Sequence, residues 1–174
     1  MVLAALMTIA VTGVRAWRGD PHTTPVDACA LVTAAEARSL VPESAVDRRS
    51  AEPAAGTMKS AACRWRADSG GRRRPALTVE TRRWTPASRF RSGAEVARQE
   101  FKAGRGDDGG EDLDGLGDEA YLLLGEGRRP TVTVVIRDGN VIMRAGAGPI
   151  PADRAPTVRT HLTAIATSAA GRLP

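Results

Sequence analysis

The sequence predicts an α+β domain: an antiparallel sheet of about five strands with helices packed mainly on one face, in the order α-β-β-α-β-β-β-α. Three observations predict it. Thr131–Arg137 and Asn140–Ala145 are apolar runs joined by Asp138-Gly139, a strong hairpin signal. Cys63, Trp65 and Ala67 alternate with Arg64, Arg66 and Asp68, the period of a half-buried strand. Val158, Leu162, Ile165 and Ala169 recur at helical spacing.

The elements follow in order. Thr33 and Glu36 stand at the spacing of a capping box, with Val32 and Ala37 at the staple positions. This first helix is expected to run to about Leu40 and to stop before Pro42. Residues 42–60 read as loop. The Cys63 strand turns at Asp68–Gly71 and returns as Ala76–Arg83, with Leu77, Val79 and Thr81 on one face. Thr85-Pro86 opens a second helix with Pro at its first position, and Phe90, Ala94, Ala97 and Phe101 form its apolar stripe. It ends near Gly104. A glycine- and acid-rich loop follows, in which Gly115 and Gly117 allow a tight entry into a strand at Glu119–Leu124. In the hairpin, a two-residue turn at Asp138-Gly139 sets Ile136 against Val141 and Val134 against Met143. Val135 and Ile142 fall on the opposite face, so both faces are expected to be covered there. The last helix starts after Pro149–Asp153 and ends with Gly171 at C′.

The chain has 174 residues, enough for one domain and a short appendage. Residues 1–16 read as a signal or membrane-anchor-like segment, 17–27 as a linker, and 28–174 as a single domain. Met1–Val14 is almost wholly apolar. As a helix it spans about 21 Å, short for a bilayer core but suited to the apolar part of an export signal. The first cations, Arg15 and Arg18, follow it, so a basic leader is expected upstream of Met1. The alternative is a buried N-terminal helix. The two cysteines, Cys29 and Cys63, are too few and too far apart for a zinc site. In an exported chain such a pair reads as a disulfide; in a reducing compartment it reads as two buried thiols.

The net charge is +5, carried almost entirely by arginine; Lys59 and Lys102 are the only lysines. Arginine with abundant Ala and Gly suggests coding bias, and no nucleic-acid-binding motif accompanies it. Arg64, Arg66 and Arg82 alternate outward on neighbouring strands, with Arg72, Arg73 and Arg74 at their turn. They form a candidate contact for anionic lipid or wall polymer, or else a solvated face. His22 lies in the linker and His161 beside the apolar stripe of the last helix; no Gly-x-Ser-x-Gly elbow joins them. Asp107, Asp108, Glu111, Asp112, Asp114, Asp118 and Glu119 fail the spacing of a calcium loop. Arg105–Asp107 matches an adhesion tripeptide of the kind chance supplies in an Arg- and Gly-rich chain. No catalytic residue, cofactor or metal is expected; an enzyme, if one is present, draws on Asp118, Glu119 and Tyr121.

The segments DACALVTAAEARSLV (27–41), CRW (63–65), GLGDEAYLLL (115–124) and TVTVVIRDGNVIM (131–143) together resemble a family of actinobacterial exported proteins and lipoproteins of unknown function. The resemblance covers residues 27–146, and the order of the motifs carries most of its weight. It implies a Cys29–Cys63 disulfide and an extracytoplasmic place, secreted or membrane-anchored. The layout is also similar to extracellular sensor domains of receptor kinases. The chain departs from the family in lacking a lipobox. The function expected is that of a non-catalytic binding or sensor-type domain for an envelope ligand or protein, or of an assembly partner meeting the anionic envelope through its arginine-bearing face.

Overall fold

The computed structural model describes residues 20–67, 76–106, 110–128 and 130–174, with side chains described throughout except at 47–55. The described chain is α+β, as expected. Helix α1 (Ala34–Leu40) precedes strands β1 (Ser44–Ala55), β2 (Met58–Ala67) and β3 (Ala76–Trp84). Helix α2 (Gly93–Arg105) leads to β4 (Glu111–Asp112), β5 (Glu119–Leu124), β6 (Val132–Asp138) and β7 (Val141–Gly148). A 3₁₀ turn at Ala152–Arg154 runs into α3 (Ala155–Ala170). One antiparallel sheet takes up every strand, in the order β1-β2-β3-β7-β6-β5-β4, so it has seven strands and not about five.

The two additional strands are the two edges. Ser44–Ala55 carries charges and Pro53 where an inner strand would alternate, and Pro is tolerated where one side of a strand has no partner. Its pairing with β2 shifts register after Val46 and again after Glu52. Glu111–Asp112 is two residues long and too short to show a period.

Helices cover both faces. On one face, Trp65, Leu77, Val79, Val134, Ile136 and Met143 pack with the α3 stripe Val158, Leu162, Ile165 and Ala169. Val26, Leu31, Val32 and Ala37 close the same core from the N-terminal side. On the other face α2 lays Val96, Ala97 and Phe101 onto Trp84, Tyr121, Val135 and Ile142. The Phe101 and Tyr121 rings meet at 4.8 Å between centroids and 58° between planes. The expectation of helices mainly on one face therefore holds for α1 and α3, while α2 takes the opposite side.

Three local expectations are corrected. Helix α2 starts at Gly93, with Ser92 as its N-cap accepting from the Glu95 amide, and Pro86 and Phe90 lie outside it. In the hairpin, Asp138 pairs with Val141 and Ile136 with Met143, so the two-residue loop is Gly139-Asn140. Gly139 has φ 54° at the first loop position, where a type II′ turn demands a positive value. Gly171 ends α3 in right-handed geometry, with φ −66°. By contrast, the capping box at α1 forms in both directions.

Cys29 and Cys63 form a disulfide with 5.0 Å between Cα atoms. It ties the loop before α1 to the centre of β2. A second tie crosses from α3: Arg172 grips Glu36 through two hydrogen bonds of 2.9 Å and also donates to the Leu31 carbonyl. That guanidinium holds the Glu36 carboxyl at about 2, well below its usual 4.5, with help from Thr33 and Ser168 and against partial burial.

Opening the disulfide as Cys29→Ser/Cys63→Ser is expected to lower unfolding free energy by about 3–4 kcal/mol in the chain-entropy picture. Urea unfolding measures it. A loss under 1 kcal/mol would mean that packing alone holds this corner.

Because the folded-state pKa of Glu36 is depressed, its contribution is full above the unfolded value of 4.5 and disappears as pH falls toward about 2. Arg172 stays 35% and Glu36 21% exposed, which limits the expected effect to on the order of 1 kcal/mol. Glu36→Gln should flatten that part of the urea-midpoint profile.

Candidate functional site

Strand alternation decides which side chains meet on the α2 side of the sheet. On β2, Cys63 and Trp65 point into the α1/α3 core, which turns Arg64 and Arg66 to the other face. On β3, Leu77 and Val79 point inward to that core, which leaves Thr78, Glu80 and Arg82 beside them. On β7, Arg144 lies directly across from Glu80. Arg64, Arg66, Glu80, Arg82 and Arg144 are all half-buried. Arg82 donates from Nε to the Glu80 carboxylate at 2.7 Å, and neither Arg64 nor Arg66 is free of partners. Helix α2 crosses only the far part of this face, over Trp84, Ile142, Val135 and Tyr121. The result is an arginine-bearing half-face walled on one side by a helix. Arg72, Arg73 and Arg74 lie outside the described residues.

Where the wall meets the half-face, Arg144 tucks under Gly104. A Cβ on Gly104 would meet its guanidinium at 2.6 Å, so a larger residue there would require Arg144 to shift. The Tyr121 hydroxyl is buried beside Arg144 without a hydrogen bond of good geometry. Burial pushes its phenol up, opposed by Arg144 and Arg105. Tyr121 itself is fully enclosed.

The sheet end near the β6–β7 turn gathers the other polar candidates. Arg137 is buried and donates to Glu119 at 2.7 Å, to Asp118 at 2.8 Å and to the Gly139 carbonyl at 3.0 Å. Asp118 also accepts from the Gly139 amide. The two carboxylates proposed for chemistry are therefore bonded to one guanidinium, and Tyr121 lies under α2. Gly117 brings the chain so close that a Cβ would meet the Arg137 carbonyl at 2.6 Å, as its place before β5 suggests. Two other acids of this loop are also engaged: Glu111 pairs with Arg159, and Asp112 with Arg105 at 2.7 Å. Among the described residues no group of three or more His, Cys, Asp or Glu could hold a metal ion. Asp107 and Asp108, and with Asp107 the Arg105–Asp107 tripeptide, extend outside the described residues.

His22 is buried and packed onto the body. Its Nδ1 meets the Pro174 carbonyl, and its Nε2 is 3.6 Å from Asp138. Asn140 holds the same residue by its backbone: Oδ1 accepts from the His22 amide, and Nδ2 donates to the His22 and Trp84 carbonyls. Two residues earlier, Asp20 accepts from the Gly93 and Ala94 amides, adding a second cap to α2 from outside the helix. Asp20, His22 and Val26, within the stretch read as linker, thus contact the fold. His161 is exposed and borders a shallow groove of about 250 Å³ with Glu36, Ser39, Ala164 and Ile165. Ser39 donates to the Glu36 carbonyl, and Glu36 is held by Arg172, so the groove offers no base–nucleophile pair.

Sequence reading passed over Asn140, Arg137 and Asp20, the residues that fix this end. By pattern Asn140 reads as a strand residue, and Asp20 as linker. No protein-family model, curated protein or solved structure matches the chain.

Asn140→Ala removes three buried hydrogen bonds and leaves backbone groups of His22 and Trp84 unsatisfied. The expected loss is about 2–4 kcal/mol, with faster amide exchange at His22, Gly93 and Ala94. A variant as stable as the parent, with those amides still protected, would show that the N-terminal segment is held by other contacts.

Proposed function

We propose that this chain is a non-catalytic binding or sensor-type domain of an extracytoplasmic, oxidising compartment. The observation that carries the reading is the row of half-buried Arg64, Arg66 and Arg82 on the sheet beside Glu80 and α2, with Arg144 at its border under Gly104. Such a surface suits an extended anionic ligand, including an envelope polymer or an anionic assembly partner. The disulfide suits a compartment where thiols are oxidised. The resemblance to actinobacterial exported proteins points the same way. No helix among the described residues is long and apolar enough to cross a membrane.

A soluble polyanion tests the face. Inorganic polyphosphate is expected to bind at low salt and to weaken steeply as salt rises. Arg82→Gln, at a surface position paired only with its neighbour Glu80, should weaken binding about fivefold, as expected for one cation near an anionic surface. Binding that ignores both salt and this substitution would remove the face from consideration. Hydrolysis of ester, peptide or glycoside substrates above background would contradict the non-catalytic reading.

A further inference from the structure

The connection from β3 to α2 carries Phe90 82% exposed, the most open large apolar side chain among the described residues. Isolated exposed apolar residues are ordinary on protein surfaces, but this one is presented by a built turn. Ala87 donates to the Arg91 carbonyl at 3.0 Å and Arg91 to the Ser88 carbonyl at 3.3 Å. Ser88 Oγ accepts from the Phe90 amide at 3.2 Å. These bonds turn residues 88–91 outward. Two exposed cations flank the ring: Arg89 stacks on it, with Cζ 4.7 Å from the centroid, and Arg91 is bonded to Gln99 on α2.

The same place receives the N-terminal chain. Asp20 is bonded to the Gly93 and Ala94 amides, two and three residues beyond Arg91. In sequence, Asp20 follows the segment that carries the apolar run Met1–Val14. The point where the described chain begins, Asp20, and the exposed Arg-Phe-Arg turn thus lie close together.

We propose that this corner faces a bilayer, and that the Arg89-Phe90-Arg91 turn docks on anionic phospholipid. The ring enters the headgroup–acyl boundary while the two guanidinium groups meet lipid phosphates. A single aromatic with two cations binds weakly alone, so the turn acts as a second contact, orienting a domain already held nearby. The proposal is independent of the arginine half-face, which lies on the sheet and not on this turn.

The test uses the full chain carrying Phe90→Trp, with wild-type emission subtracted for the native tryptophans, and vesicles of phosphatidylcholine with phosphatidylglycerol. The expected result is a blue shift at position 90 and quenching by lipids brominated along the acyl chain. Adding Arg89→Ala and Arg91→Ala should raise the vesicle concentration needed for half the effect roughly tenfold, and purely zwitterionic vesicles should do the same. Arg82→Gln should leave the signal unchanged, which separates this contact from polyanion binding on the sheet. No quenching at position 90 in anionic vesicles overturns the proposal. So does a blue shift already complete without vesicles and insensitive to brominated lipid, because the apolar N-terminal run would then be covering the ring itself.

Discussion

The Cys29–Cys63 bond carries a structural burden that helices carry elsewhere in this fold. The β6–β7 half of the sheet lies between α3 on one face and α2 on the other. Among the described residues, the β1–β2 side is met by the short helix α1 and the loop before it. Cys63 is fully buried on β2, next to Trp65, and its partner comes from that loop. Through the bond, Val26, Leu31 and Val32 are held where they complete the larger core. The Arg172–Glu36 pair then fastens α1 to the end of α3.

A second set of constraints fixes what the opposite face can present. Asp20 caps α2 from a distant part of the chain, and Asn140 holds His22 by imitating a strand partner. Arg137, neutralised by Asp118 and Glu119, stiffens the turn from which Asn140 projects inward. Together these interactions place α2 across one part of the sheet, over Arg144 and beside the half-buried Arg64, Arg66 and Arg82. They also bring the N-terminal chain to the corner where Phe90 stands out. Position, and not a reactive group, is what these polar residues supply.

Much of this was legible where the determinants are local. Thr33 and Glu36 cap each other within one turn, so their spacing alone identifies the helix start. Glu119–Leu124 was legible because its apolar run matches the strand, and Cys63 and Trp65 because they alternate with arginines. Other features depend on distant partners. The hairpin register places Asn140 in the turn because its side chain bonds residue 22, which no window around Asp138-Gly139 contains. Strand β1 lacks an alternating pattern because an edge strand has one partner and less to bury. Phe90 falls on the α2 stripe by spacing alone, although Ser92 followed by Glu95 was the better start signal. The arginines of the sheet face were found by alternation; Arg144 was missed because it stands alone within the apolar β7 run.

The account depends on a covalent link between the loop before α1 and the centre of β2, formed in a compartment that keeps it oxidised. Thiol titration of denatured, unreduced protein taken directly from its native host, with its intact mass, tests this most directly. The account predicts no reactive thiol and a mass two hydrogens below that of the reduced chain. Two titratable thiols in freshly isolated protein would contradict both the link and the compartment.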